Sequence, residues 1–493
     1  MGYKKRYIIG IDEGTTSARA VLFDTEKNEI IKQSQKPFKQ YFPKDGWVEH
    51  NAEEIWKIIE DAIIEITKGI ASEEIYSIGI TNQRESVVAF SKKTGKALAP
   101  SICWQCRRTA AFCKKLKEST FAVSIKQKTG LMPDSYFSAS KIRWLLKNNE
   151  DVKKALKEND LYIGTIDAFL VYKLTKGKVF ATDVTNASRT QLLNIKTLEW
   201  DDELLSIFDV PKQILPEVKE SAGDFGMAEI DYLRVPISAI LGDQQSSLFG
   251  QGCHSAGDIK STYGTGAFLL ENTGDKVVYS NDLLSTIAYK IDGKICYALE
   301  GSIYNCGTAI DWATYELGLA KTPHDLDVMA GKLGSNNGVY MVPAFTGLGC
   351  PYWNMDASGI ITGLTRASTK EHIARAVLES IAYSVYDVVK IFEKESGKRL
   401  NELNVDGGAT KNEFLMQFQS SLLNTKINVN NKESTSLGVI YLAGLKNGAY
   451  ASLDEIKDRI VALKTFEPQS NPLFMKANLD GWKKAIEKCT NFN

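Results

Sequence analysis

The chain has 493 residues, of which 43% are hydrophobic and 24% charged. That is the composition of a soluble globular protein long enough for two or three domains. Its 60 Lys plus Arg balance 60 Asp plus Glu, which removes the general basic field that would draw nucleic acid or an anionic membrane.

The chain opens on a basic Met1–Arg6, and the apolar run behind it breaks at Asp12, too early for a signal-peptide core. Arg6 stands where myristoylation requires Ser or Thr, and Asn491-Phe492-Asn493 is neither a prenylation box nor a peroxisomal tripeptide. No stretch approaches the about 20 apolar residues of a membrane span. The expectation is a soluble cytoplasmic protein with no membrane span and no nucleic-acid partner.

Tyr7–Ile11 reads as a buried strand, Asp12-Glu13-Gly14 as a turn, and Ala18–Phe23 as a second strand. An acidic residue at a strand end can hold hydrated Mg²⁺, and Gly14 lets backbone N–H groups approach a phosphate. Thr15 and Thr16 add hydroxyl donors, and Arg19 adds a phosphate-pairing cation. Asn51–Ile70 has helical spacing. Ile75–Ile80 is another short buried strand and runs into Thr81-Asn82-Gln83-Arg84-Glu85.

Cys103-Trp104-Gln105-Cys106 carries a C-x-x-C with no second pair, and the four histidines are scattered, so buried reduced thiols are expected rather than a metal or redox site. Tyr136 lies in Asp134–Ser138. The apolar Val235–Leu241 leads into Gly242-Asp243-Gln244-Gln245. Asp258–Leu270 reads as strand, Gly-rich turn (Tyr263-Gly264-Thr265-Gly266), strand, and echoes the opening hairpin. Val405-Asp406-Gly407-Gly408-Ala409 is a strand ending in paired glycines, followed by Asn412 and a helix. Gly481–Cys489 reads as a packed terminal helix.

Alternating strands and helices place the chain in the α/β class. Neither G-x-x-x-x-G-K-[ST] nor a G-x-G-x-x-G after a strand is present, which disfavours P-loop and Rossmann readings. Arg, Glu, Tyr, Asp, Gln and Trp together supply the donors, acceptors and apolar wall that a hydroxylated ligand needs. Each also has a plain reading: Arg84 with Glu85 as a surface ion pair, Trp104 as core, Tyr136 as a helix cap, Asp243 as a turn residue.

Taken together, these segments resemble the FGGY carbohydrate kinases from about Tyr7 to about Tyr450. The stretches that carry the resemblance include Gly46–His50, Gly79–Glu85, Trp104–Arg108, Asp183–Thr190, Gly242–Gln245, Tyr263–Gly266, Val342–Gly349, Leu378–Tyr383 and Asn412–Gln419. Tyr136–Leu145 is similar to the first signature of the family and Gly359–Glu379 to its second.

The resemblance implies two actin-like (ribonuclease H-like) lobes with a cleft between them. Residues 1–250 would bind polyol and phosphate, and 251–493 the nucleotide. It implies ATP-dependent phosphorylation of glycerol to sn-glycerol 3-phosphate with ATP and Mg²⁺, by a homo-oligomer (dimer or tetramer). Arg84, Glu85, Tyr136, Asp243 and Gln244 would contact the glycerol hydroxyls, with Trp104 and Phe268 against its carbons and Asp243 as the general base. Thr15, Thr16, Arg19 and Thr265 would meet the phosphates. Gly307, Gly408 and Asn412 would meet the sugar and base, and Asp12 and Asp243 the Mg²⁺.

Two residues depart from the family pattern: Glu13 and Asp311 stand where many relatives carry Gln, and Glu13 would add negative charge beside an anionic ligand. Met227–Leu233 lacks both the Gly- and Lys-rich loop of bisphosphate-inhibited relatives and the histidine that others phosphorylate, so neither control is expected. A kinase for a longer polyol or ketose stays open, as does a non-enzymatic actin-like protein that keeps the phosphate turns and needs no polyol pocket.

Overall fold

The structure, a computed structural model, describes residues 4–430, 433–469 and 472–491. Among them no helix is long and apolar enough to cross a membrane.

The first sheet is built from β1 (Tyr7–Glu13), β2 (Ser17–Asp24), β3 (Glu29–Pro37), β4 (Ile75–Asn82), β5 (Met227–Ile230) and β6 (Leu233–Gly242), in the order β3-β2-β1-β4-β6-β5. β1 pairs antiparallel with β2 and parallel with β4, and β6 is parallel to β4. Ile8, Ile9 and Ile11 have no exposure; β1 is buried on both faces, which is why it reads as a continuous apolar run and not as an alternation. Helix α1 (Ala52–Thr67) covers one face. Asn51 caps it by accepting from the backbone N–H groups of Glu53 and Glu54 at 3.0 and 3.3 Å, and Ile55, Ile59 and Ile63 point inward. The helix is shorter at its end than the Asn51–Ile70 spacing suggests, because the chain leaves helical geometry at Lys68.

The second sheet repeats this plan. β7 (Ile259–Tyr263), β8 (Ala267–Gly274), β9 (Leu284–Ile291), β10 (Lys294–Ile303), β11 (Glu402–Asp406), β12 (Lys426–Val429) and β13 (Lys464–Phe466) lie in the order β9-β10-β8-β7-β11-β12-β13. β7 pairs antiparallel with β8 and parallel with β11, and β12 is parallel to β11 and edged by antiparallel β13. With β9 set aside, β10-β8-β7-β11-β12-β13 superposes in order and direction on β3-β2-β1-β4-β6-β5. The two hairpins that echo one another in sequence, β1–β2 and β7–β8, therefore hold equivalent places in two related lobes.

Helix α2 (Asp243–Gly250) leaves β6. Helices α3 (Lys370–Ser396) and α4 (Glu413–Leu423) pack in the second core. Helix α5 (Ser434–Lys446) comes from the second half of the sequence, yet it returns to the first sheet. Its Val439 and Ile440 seat against Gly79 and Gly10 and share a core with Ile8, Val21 and Leu241. The tail expected at Gly481–Cys489 is part of helix α6 (Pro472–Thr490).

A separate five-stranded antiparallel sheet (Gln40–Tyr41, Glu49–His50, Ser101–Ile102, Val87–Ser91, Leu161–Thr165) is inserted in the first lobe. Cys103 and Cys106 are free, buried thiols in its core. Arg84 and Glu85 lie between β4 and the insert strand Val87–Ser91, Trp104 follows Ser101–Ile102, and Tyr136 precedes the helix Ser138–Asn148.

Candidate active site

Arg84 follows β4, and Gly242 ends β6 on the neighbouring strand. A Cβ at Gly242 would stand 2.7 Å from both Cγ and Cδ of Arg84, so the missing side chain is what lets the arginine pass. Arg84 and Glu85 are both buried, and they do not pair with each other. Arg84 donates to Glu300 of β10, Nη1 to Oε2 at 2.5 Å and Nη2 to Oε1 at 3.3 Å. Its Nε stands 3.1 Å from Asp243 Oδ1. Glu85, held at φ +63° in the left-handed region a non-glycine residue seldom enters, turns away and accepts from Arg189 Nε at 2.6 Å. Arg189 Nη2 also donates to Glu300 Oε1 at 3.0 Å. Two arginines and two glutamates thus close a balanced, water-excluded quartet across both lobes.

Burial by itself would push Glu300 upward, but Arg189 and Arg84 outweigh it and hold the carboxyl at about 2. For Glu85 burial prevails over the same arginines, and its carboxyl lies above the usual range. Trp104 and Tyr136 meet edge-to-face with ring centroids 5.5 Å apart, and the Arg189 guanidinium lies 5.8 Å from the Tyr136 ring. Lys141, itself buried, donates to the carbonyls of Ser135, Tyr136 and Phe137 at 2.5, 2.6 and 3.1 Å, which fixes the loop that presents Tyr136.

Asp243 opens α2 with 31% of its side chain exposed in the cleft. Its Oδ1 accepts from the Gln244 backbone N–H at 2.7 Å. Surrounding protein pushes its carboxyl up while Arg84 pulls it down, the setting of a carboxylate able to accept a proton. Gly242 is anchored in turn: its N–H donates to Thr185 Oγ1 at 2.9 Å, and that hydroxyl donates to Asp183 at 2.8 Å.

The first turn lies beside this pocket. Asp12 ends β1, and its Oδ2 accepts from Arg19 Nε and Nη2 at 2.9 and 2.8 Å and from Ser436 of α5 at 2.9 Å. Arg19 also pairs with Glu433, so its guanidinium is held between two carboxylates rather than left open for a phosphate. Thr15 Oγ1 accepts from the Trp104 indole N–H at 3.0 Å, which joins the turn to the insert; the indole expected as an apolar wall also serves as a donor. Thr16 is exposed.

Glu13, the residue that departs from the family pattern, is wholly buried. It accepts from Gln83 Nε2 at 2.7 Å, while its other oxygen has no partner. Burial pushes its carboxyl well above the ordinary range against the opposing Gln83 hydrogen bonds, with Asp12 and Asp243 adding to the rise. The rise favours the uncharged acid, which has the shape and polarity of an amide, and so works against the expected conflict with an anionic ligand.

The second turn is Tyr263–Gly266. Its Gly264 N–H donates to the Gly266 carbonyl at 2.9 Å, and a Cβ at Gly266 would meet Ile303 O at 2.4 Å. Thr265 is exposed at the tip, and the Gly307 N–H donates to the Gly264 carbonyl at 2.9 Å. Gly408 faces open space, with nothing within 4 Å of a built Cβ. Asn412, buried, caps α4 by accepting from the Leu415 N–H at 2.8 Å. Asp311 is exposed at the end of the short helix Gly307–Asp311. Phe268 lies on β8, partly exposed.

The expected residues therefore fall into two neighbouring groups. Arg84, Glu85, Trp104, Tyr136, Asp243 and Gln244 gather around the quartet, and Thr265, Gly307, Gly408 and Asn412 belong to turns of the second lobe. Sequence reasoning missed Glu300, Arg189 and Lys260. Arg189 lies inside the quoted Asp183–Thr190 stretch, and a charged residue within the apolar β10 run was the available signal for Glu300.

The family model described as "FGGY family of carbohydrate kinases, N-terminal domain" matches residues 7–250, and the corresponding C-terminal domain matches 259–446. The chain is 48% identical to a glycerol kinase of Fusobacterium nucleatum over 491 residues, 98% of this chain and 99% of that one. It is likewise 48% identical to a glycerol kinase of Bacillus anthracis over 498 residues, 99% and 100% of the two chains. Among solved structures, Plasmodium falciparum glycerol kinase with ADP superposes with a TM-score of 0.94 at 37% identity over 100% of both chains. A gluconate kinase from Lactobacillus acidophilus gives 0.87 at 26% identity, covering 98% and 97%.

Proposed function

The chain belongs to the FGGY family of carbohydrate kinases, and from that premise we propose that it transfers the terminal phosphoryl group of ATP to a primary hydroxyl of glycerol, giving sn-glycerol 3-phosphate. The observation that carries the choice of acceptor is the balanced quartet. Arg84 and Arg189 are already matched by Glu85 and Glu300, so neither guanidinium depends on a charged ligand for its counter-charge. A neutral polyol can share these donors and acceptors without leaving a buried charge uncompensated.

In this reading Arg84, Glu85, Tyr136 and Gln244 hold the hydroxyls, and Trp104 with Phe268 covers the carbons. Asp243 orients the attacking hydroxyl and takes its proton as the new P–O bond forms. Little covalent work falls to the protein; alignment and exclusion of water do the rest. Thr15, Thr16 and Thr265 offer hydroxyls, and their turns offer backbone N–H groups, to the phosphates from the two lobes. Arg19 acts there by holding Asp12. Gly307, Gly408 and Asn412 take the nucleoside. Residues 1–250 thus supply acceptor and phosphate contacts and 251–493 the nucleotide contacts, although Glu300, Lys260 and Phe268 reach the acceptor from the second part.

Asp12 and Asp243 are the hard oxygen donors suited to Mg²⁺. Among the described residues no group of three or more His, Cys, Asp or Glu could hold a metal, which fits an ion held by one or two carboxylates together with nucleotide phosphates. When bound, Mg²⁺ supplies neutralisation of phosphate charge. We place the protein in the cytoplasm as a homo-oligomer, a dimer or tetramer, by family likeness; sedimentation tests the assembly.

The deciding experiment is ADP release from MgATP with glycerol, dihydroxyacetone, erythritol, xylulose or no acceptor. Strong glycerol-dependent turnover is expected. Turnover with a longer acceptor alone keeps the family and removes glycerol, and nucleotide binding without acceptor-dependent turnover moves the protein to the non-enzymatic actin-like reading.

A further inference from the structure

Lys260 lies in the middle of β7, and its side chain is wholly buried. Its ammonium donates to Gln244 Oε1, to Thr262 Oγ1 at 3.0 Å and to the backbone carbonyl of Phe268 at 3.3 Å. Among the described residues it forms no ion pair with a carboxylate, although Asp406 and Asp243 face it from β11 and α2. Burial pushes it down to about 8, and those two carboxylates oppose the fall. A buried lysine is costly, yet this one sits where two residues assigned to the acceptor site meet: Gln244 from the first lobe and Phe268 from the second.

An ammonium has three donors and no acceptor, so it can bind only the oxygen of an amide. That fixes a choice the Gln244 side chain would otherwise leave open. With Oε1 turned to Lys260, Nε2 points away, and among the described residues nothing accepts from it. Gln244 is partly exposed in the cleft, so its free donors face the place the polyol takes. Glu85 and Asp243 accept, and Arg84 donates. Which of these roles Gln244 plays is decided by Lys260.

We infer that Lys260 is a positioning residue of the acceptor site, which holds the Gln244 amide with its oxygen toward the second lobe and its NH₂ toward the cleft, so that Gln244 reads a polyol hydroxyl only as a hydrogen-bond donor. The inference rests on the proposed reading of the cleft as a polyol kinase site. It makes the acceptor's recognition depend on a contact between lobes, and it separates two hydroxyl roles. The hydroxyl facing Gln244 must accept, whereas the hydroxyl facing Asp243 must donate.

The test is a double-mutant cycle in steady-state kinetics with wild type, Lys260→Met, Gln244→Ala and the double variant. Freed from the ammonium, the amide samples both orientations, and KM for glycerol rises about tenfold, the worth of one hydrogen bond. KM for ATP should move less than about twofold, since none of the three groups that Lys260 holds is assigned to the nucleotide. In the Gln244→Ala background, Lys260→Met should add almost nothing to KM for glycerol. Equal losses in both backgrounds, an unchanged KM for glycerol in Lys260→Met, or parallel rises in both KM values would overturn the inference. Lys260→Gln, whose amide offers an acceptor as well as a donor and so no longer fixes the Gln244 amide, replaces the Met variant if that one does not fold, and should raise KM for glycerol in the same direction. Wild type without glycerol-dependent turnover sinks the kinase reading and this inference together; wild type with turnover but additive losses sinks the inference alone.

Discussion

The two halves of the cleft are built from different materials. The acceptor half is made of charged side chains that satisfy one another: Arg84, Arg189, Glu85 and Glu300 are buried and paired before any ligand enters. The nucleotide half is made of backbone. Gly264, Gly266, Gly307 and Gly408 shape turns, and around Gly408 the space is open. The first half is rigid because breaking one pair strands a buried charge. The second is permissive because a turn offers N–H groups to any phosphate chain that fits.

The contrast is sharpened most by Asp243, where charge pairing meets chemistry. Asp243→Asn should lower kcat about 10²- to 10⁴-fold, the usual worth of a general base, with KM for ATP nearly unchanged in steady-state assays. Near-normal turnover would remove the base assignment. Next in size is Glu300→Ala, which leaves two buried arginines without their shared carboxylate. Urea unfolding should show a loss of about 3–5 kcal/mol, and KM for glycerol should rise in whatever protein still folds. A surface-like loss below about 1 kcal/mol would show that the quartet does not work as a unit.

On the other side of the cleft a paired comparison separates fold from ligand. Gly266→Ala places a methyl 2.4 Å from Ile303 O and should cost about 1–3 kcal/mol of stability through the forced backbone shift. Gly408→Ala meets nothing within 4 Å, so its melting temperature should hold while KM for ATP rises several-fold. Equal effects of Gly408→Ala on both quantities would erase the distinction drawn between the two halves.

The smallest effect concerns Glu13. Its carboxyl is raised in the folded state by burial. At pH below about 4.5 both folded and unfolded chains bind the proton, and Glu13 contributes no pH dependence. As pH climbs past that value the unfolded chain releases its proton while the folded chain keeps it, so stability falls until the folded carboxyl itself ionises. Glu13→Gln should remove this slope. The variant should match wild type near pH 4.5 and melt higher than wild type at pH 8, with little change in kcat.

Much of this architecture was legible in one dimension. β1 and β4 are largely apolar runs because they are buried on both faces, and a run of that kind needs no partner to be recognised. Both hairpin turns were visible because Gly-Thr-Thr and Gly-Thr-Gly between strands are turn-forming sequences. The residues proposed to surround the acceptor were marked by motif. What could not be read was their pairing. Arg84 and Glu85 are neighbours in sequence and suggest an ion pair, yet φ +63° at Glu85 sends its carboxylate to Arg189, and Arg84 finds Glu300, 216 residues away. Nor did the return of α5 to the first sheet show, since its apolar face would suit either core.

The sequence alone determined the α/β class, the two hairpins with their glycine turns, and which residue types the cleft would contain, because these follow from local propensity and short-range pattern. Only the tertiary structure decided which charges neutralise one another, that burial raises the Glu13 carboxyl, and which way the Gln244 amide faces. The strength of a charge pair and the protonation of a carboxyl depend on burial and on distances between distant segments, and covalent neighbours set neither.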